Sequence, residues 1–206
     1  MIERLRLAEE LQAATCVNIL GTKRIDNWYG PCKEGYSEEF FEEAVQVCQR
    51  VIDAVQPQHT RLSFEMMPYY FLDGPEAYLK FLNAVDRPGA AIHLDLCNTI
   101  NRQDRLYNSG TYIKHVFELL KDRIVTLHLK DIALKPDVYT MMFEEVLIGK
   151  GNVDYVTFLR EIAALPEDTP AMLEHLSSEE EYEQAAEAVK AFAYAAGLKQ
   201  EGLVWR

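Results

Sequence analysis

Apolar positions in this chain recur with two periods, and segments of the two kinds take turns from one end to the other. Over residues 2–14, Ile2, Leu5, Ala8 and Leu11 fall at intervals of three, the apolar face of an amphipathic helix. Thr15-Cys16-Val17-Asn18-Ile19-Leu20 then reads as a strand closed by Gly21. Ser37, followed by Glu38 and Glu39, predicts an N-cap and first turn for a helix running to about Val55 and stopping before Pro57. Asp73-Gly74-Pro75-Glu76 predicts a second start, with proline in the first turn and an end near Val85. Further helices are expected from Asn108 or Ser109 to about Lys121, over 154–165, and from Ser177-Ser178-Glu179-Glu180 to a stop at Gly197.

Between the helices lie short apolar runs, and four of them end on a side chain that binds hard divalent cations. They are Thr60–Glu65, Ala90–Asp95, Ile124–His128 and Pro170–Glu174. The four end residues are 30, 33 and 46 positions apart, room in each case for a loop, a helix and a return strand. Strand and helix in alternation predict an α/β fold with a parallel sheet, as one domain over 1–206 containing about five βα units. Parallel strands point the same way, so their C-terminal ends share one rim, and Glu65, Asp95, His128 and Glu174 are expected to meet there.

Composition narrows the function. A 206-residue chain of net charge −12 repels phosphate backbones and anionic lipid, and no local basic patch offsets that. Nucleic-acid and membrane partners are therefore not expected. The start Met1-Ile2-Glu3-Arg4-Leu5-Arg6 carries no apolar signal core, and no apolar stretch has membrane-spanning length. Cys16, Cys32, Cys48 and Cys97 lie far apart without a C-x-x-C pair, which fits reduced thiols and a cytoplasmic setting.

Three carboxylates and an imidazole form a mixed oxygen and nitrogen set. Manganese is the natural cation for it, and magnesium, cobalt or zinc would also suit. Grouped carboxylates without such a cation would raise one another's pKa. A metal held there would polarise a carbonyl and its neighbouring hydroxyl and stabilise an enediolate. Glu65 and Glu174, approaching from different sides, could take a proton from one face and return it to the other. That chemistry isomerises an aldose or epimerises a ketose.

Phe64-Glu65, Leu94-Asp95-Leu96-Cys97-Asn98, His128-Leu129-Lys130-Asp131, Gly149-Lys150-Gly151-Asn152-Val153-Asp154 and Leu173-Glu174-His175 resemble, in order and spacing, the sugar phosphate isomerase/epimerase family with the xylose isomerase-like TIM barrel. The resemblance implies one divalent metal, often manganese, on Glu65, Asp95, His128 and Glu174, with both glutamates as acid and base. It implies a substrate contact at Asn98 and a small sugar or sugar phosphate as substrate. By the same alignment the first three strand–helix units of the family are missing, so the barrel is expected to be incomplete. Two open sheet edges then predict a homo-oligomer.

Lys130 and His93 are further candidates for substrate binding; surface and core roles, respectively, are their bland alternatives. His175 follows a ligand and should point away from it. Gly149-x-Gly151 looks like a phosphate cradle without the strand that usually precedes one, so a tight turn into the next helix is the expected role. Trp28, Tyr29, Tyr69, Tyr70 and Phe71 fall in loops after strands, where they would either wall a sugar or pack. Trp205 is a candidate for docking onto a second copy. The alternative from a different class is a metal-binding or oligomeric remnant of the barrel with no activity.

Overall fold

Helix and strand follow one another in the computed structural model nearly as the hydrophobic pattern predicts. It describes residues 1–24, 26–27, 30–202 and 204–206, so Trp28 and Tyr29 lie outside the described residues. The chain forms two compact units: Met1–Leu94 with Arg123–Thr126, and Asp95–Asp122 with Leu127–Arg206.

The first unit contains α1 (Ile2–Glu10), β1 (Thr15–Asn18), α2 (Glu38–Val55), β2 (Arg61–Glu65), α3 (Pro75–Val85) and β3 (Ala90–Asp95) as far as Leu94. It also holds the first residues of β4 (Ile124–Leu129). Each boundary has a local cause. The Ser37 hydroxyl accepts the Phe40 N–H at 3.1 Å and starts α2, and Gln56 ends it in the left-handed region at φ 52°. Gly74 caps α3 with Pro75 as its first residue. Helix α1 is shorter than expected because Gln12 turns left-handed at φ 53°, and the Glu9 carboxylate accepts the N–H groups of Gln58, His59 and Thr60.

Strands β1, β2 and β3 are parallel, with Thr15 opposite Arg61 and Glu65 opposite His93. Every residue of β3 is buried, as a central parallel strand requires. Tyr70 is buried, and Phe71 packs edge-on against Phe40 and Phe41 at 5.8 and 5.1 Å between ring centres. Of the aromatics in that loop, Tyr70 therefore belongs to the core, and the half-buried Phe71 packs at its edge. Tyr69 leans on Tyr70 at 5.4 Å.

The second unit contains α4 (Leu96–Thr99), α5 (Gln103–Tyr107), α6 (Ser109–Leu120), the end of β4, β5 (Asp131–Leu134) and β6 (Phe143–Val146). Then follow α7 (Tyr155–Ile162), β7 (Ala171–Leu173), α8 (Glu179–Ala195), β8 (Gln200–Glu201) and β9 (Val204–Trp205). Strand β7 pairs in parallel with β4, placing Met172 opposite His128, and completes a five-stranded sheet in the order β1-β2-β3-β4-β7. The Asp154 carboxylate caps α7 by accepting the Thr157 N–H at 3.0 Å. Ser178, one residue later than the first serine of the expected box, caps α8 through the Glu181 N–H, and the Glu181 carboxylate accepts the Ser177 N–H at 2.6 Å. Gly197 stands at φ +83° past the helix end, where a side chain would strain the backbone.

The segment expected as a long loop after His128 carries an antiparallel hairpin, β5 with β6, in which Ile132 faces Glu145. Phe143-Glu144-Glu145-Val146 is too short and too charged to announce a strand on its own. Trp205 packs edge-on against Tyr194 of α8, 5.2 Å between ring centres. Among the described residues no helix is long and apolar enough to cross a membrane.

Candidate functional site

Asp95, His128, Lys130 and Glu174 of the second unit meet at the ends of β3, β4 and β7. Asp95 serves two partners because β3 gives way at once to α4. Its Oδ1 accepts the Asn98 N–H at 3.1 Å as the helix cap. Its Oδ2 is left to face His128 Nδ1 at 3.3 Å and Lys130 Nζ at 2.8 Å. Glu174 stands one residue past β7, and its Oε2 lies 3.0 Å from the same His128 nitrogen and 2.6 Å from the same ammonium. One ligating atom from each of Asp95, His128 and Glu174 lies within 4.8 Å of the others.

Lys130 is buried, and its backbone is anchored from two sides. Its carbonyl accepts the Tyr155 hydroxyl at 2.7 Å and the Cys97 thiol at 3.2 Å. Burial alone would lower the ammonium's pKa, but attraction to Asp95, with hydrogen bonds to Asp95 and Glu174, raises it above the ordinary lysine value. Burial likewise disfavours charge on Asp95, yet its bond to His128 and the Lys130 charge hold the carboxyl well below the usual range. Both groups are therefore ionised at neutral pH. Sequence reasoning left Lys130 open between surface and substrate; it is a buried counter-cation to two of the predicted ligands.

His175 departs from expectation. Strict alternation would point it away from Glu174, but β7 has already ended at Leu173 and His175 adopts φ 59°. A left-handed residue without glycine costs about 1 kcal/mol and redirects the side chain. Its Nδ1 accordingly reaches Glu145 Oε2 at 2.8 Å and Lys130 Nζ at 3.4 Å. Glu145, on β6, also approaches Lys130 at 3.7 Å. Neither Glu145 nor the turn at His175 carried a sequence signal, because one depends on an unforeseen hairpin and the other on one backbone angle.

The glycine turn holds an anion of the chain's own. The Asp131 carboxylate accepts four backbone N–H groups, from Ile132, Gly149, Gly151 and Val153, at 2.9, 2.9, 3.0 and 3.3 Å. A Cβ on Gly151 would stand 2.1 Å from Asp131 Oδ1 and 2.6 Å from the Ile132 carbonyl oxygen, so only glycine fits. The turn thereby fixes the strand segment that follows Lys130.

In the first unit, Glu65 closes β2 in register with His93, and a ligating atom of each lies within 4.8 Å of the other. His93 is 1% exposed, with Nδ1 2.6 Å from the Thr126 hydroxyl. Asn98 holds Asp95 through its backbone N–H.

The donor set fits a hard divalent cation. Metal–oxygen bonds of about 2.1 Å at right angles put neighbouring donors about 3 Å apart, close to the 3.0 and 3.3 Å between His128 Nδ1 and the two carboxylate oxygens. Two ionised or ionisable oxygens and one imidazole suit manganese, magnesium, cobalt or zinc.

Residues 1–192 match the family described as Xylose isomerase-like TIM barrel. No curated protein matches the chain in sequence. Among solved structures, a D-tagatose 3-epimerase-like protein is 16% identical with a TM-score of 0.69 over 95% of this chain and 68% of its own. A xylose isomerase-like TIM barrel protein from Mycobacterium smegmatis, solved with magnesium, is 16% identical, with a TM-score of 0.66 over 95% of this chain and 67% of its own. D-allulose 3-epimerase from Methylomonas sp. is 19% identical, with a TM-score of 0.59 over 95% of this chain and 68% of its own. At these identities the likeness is one of fold, and the chain spans about two thirds of each structure's length. With its parallel five-stranded sheet and a family match reaching across both units, the chain belongs to the xylose isomerase-like TIM barrel family.

Proposed function

We propose that this chain is a divalent-metal-dependent isomerase or epimerase of a small sugar or sugar phosphate. The observation that carries the reading is the meeting of Asp95 Oδ2, His128 Nδ1 and Glu174 Oε2 at the C-terminal ends of parallel strands. In this reading Asp95, His128 and Glu174 are ligands to one metal, manganese being the best match, and Glu65 is the fourth ligand, as the family resemblance implies. When bound, the cation supplies a Lewis acid for a substrate carbonyl and its neighbouring hydroxyl.

The chain's own groups then handle the proton. One of Glu174 and Glu65 takes the α-proton, leaving its electron pair in an enediolate, and the other returns a proton to carbon or to the adjacent oxygen. Positioned acids and bases of this kind each contribute roughly 10²–10⁴ in rate. Asp95, its Oδ1 fixed by Asn98, keeps one donor oxygen aimed at His128. Lys130, beside Glu174, is the proposed contact to a substrate oxygen, and Asn98 and His93 are the remaining proposed substrate contacts. Sugar epimerases among the structures of like fold support a sugar as substrate.

One observation favours the second reading, a remnant without activity. The Lys130 ammonium already bridges Asp95 and Glu174 and offsets one of their two negative charges, so these carboxylates are drawn together without a metal. The two readings separate by experiment. Glu174→Gln or His128→Ala should abolish Mn²⁺ binding, measured by equilibrium dialysis, with the circular dichroism unchanged. A Glu174→Gln protein of unchanged Mn²⁺ stoichiometry would remove that residue from the set. If the native chain binds Mn²⁺ but exchanges no ketose α-proton in heavy water, the remnant reading stands.

A further inference from the structure

Beside the ligand cluster, and wholly within the second unit, lies a cleft of about 180 Å³ whose wall includes Lys130, Glu145, Glu174 and His175. Asp131 and Glu181 bring its carboxylates to four, and Lys130 is the single ammonium or guanidinium among the described residues lining it. That ammonium is already engaged with Asp95, Glu174 and Glu145. A phosphate ester entering here would meet net negative charge.

Two features that usually attract phosphate are present and already occupied. The glycine turn is filled by the Asp131 carboxylate. The N-terminus of α8 borders the cleft, but Glu179, Glu180 and Glu181 stand in its first turn, and Glu181 itself accepts the Ser177 N–H. What the wall still offers suits hydroxyl groups. The Glu145 carboxylate accepts, and the His175 ring, held by Glu145 at 2.8 Å and half exposed, carries a second nitrogen that stands 3.7 Å from Glu174 Oε2, beyond hydrogen-bond distance.

We propose that Glu145 and His175 are specificity-determining residues, and that the part of the substrate beyond the metal-binding atoms is an uncharged polyhydroxylated chain, not a phosphate. The inference rests on the sugar isomerase or epimerase reading above and narrows its substrate class.

The test uses the full chain with Mn²⁺ and two probes, D-fructose as a neutral ketose and D-fructose 6-phosphate as its charged counterpart. Binding is followed by titration calorimetry and by paramagnetic broadening of the probe protons. The native chain should bind the neutral ketose at least tenfold more tightly than the phosphate. Glu145→Lys should shrink or reverse that ratio by at least tenfold with Mn²⁺ stoichiometry intact. Glu145→Gln, which keeps the shape and removes the charge, should shift it in the same direction, and His175→Ala should weaken the neutral ketose. Equal or tighter phosphate binding by the native chain, an unchanged ratio in both Glu145 variants, or binding of neither probe with Mn²⁺ present would each overturn the inference and leave the metal reading standing. Mn²⁺ binding lost while the preference persists would sink the metal reading and leave this one intact.

Discussion

A single buried ammonium governs the electrostatics of the ligand cluster. Lys130 lies 2.8 Å from Asp95 and 2.6 Å from Glu174, and its side chain is 3% exposed. Removing one partner of a buried pair leaves an uncompensated charge, which costs more than the pair contributes. Lys130→Met should therefore destabilise the metal-free chain by about 3 kcal/mol. Saturating Mn²⁺ should recover much of that loss, because a divalent cation compensates the same two carboxylates. Urea unfolding with and without Mn²⁺ measures both numbers, and an equal deficit in the two conditions would show that metal and ammonium do not share those oxygens. The pair was not legible in the sequence. Lys130 is two residues past His128, but nothing in the spacing says that Tyr155 and Cys97 seize its carbonyl and hold it inside.

At the scale of elements, most boundaries were written locally. Ser37, Gly74-Pro75, Asp154 and Gly197 act within one turn of themselves, so short-range chemistry suffices to place them. The hairpin β5–β6 obeys no such rule. It exists because Asp131 gathers three N–H groups from a turn 18 to 22 residues onward, which closes the loop and brings Glu145 to Lys130. Gly151→Ala tests that link. The added methyl meets backbone at 2.6 Å, so a loss of about 1–3 kcal/mol is expected. The loss should come with a shift of the Glu145–His175 pair, visible in the His175 ring resonances. An alanine variant of native stability would show that the turn has room the geometry denies it.

For the molecule as a whole, the ligand set predicts linkage between metal and stability. Asp95, His128 and Glu174 stand on three different strands or strand ends, so unfolding disperses them and a bound cation favours the folded chain. At a free Mn²⁺ concentration 100-fold above Kd, the gain is about 2.7 kcal/mol. For a chain of this size that raises the melting midpoint by roughly 5–10 °C, and a chelator should reverse it. A midpoint indifferent to saturating Mn²⁺ would count against the set. The sequence alone determined the α/β class, the parallel strands and the family, together with the strand-end identity of Glu65, Asp95, His128 and Glu174. Those follow from periodicity and from motif order, which are properties of the chain read in one dimension. Tertiary structure decided which cation sits among the carboxylates before any metal arrives, where His175 points, and that Glu145 takes part at all. Each of those depends on residues 15 to 45 positions apart meeting through a hairpin, a left-handed residue and a buried carbonyl, and no local pattern encodes a distance across the fold.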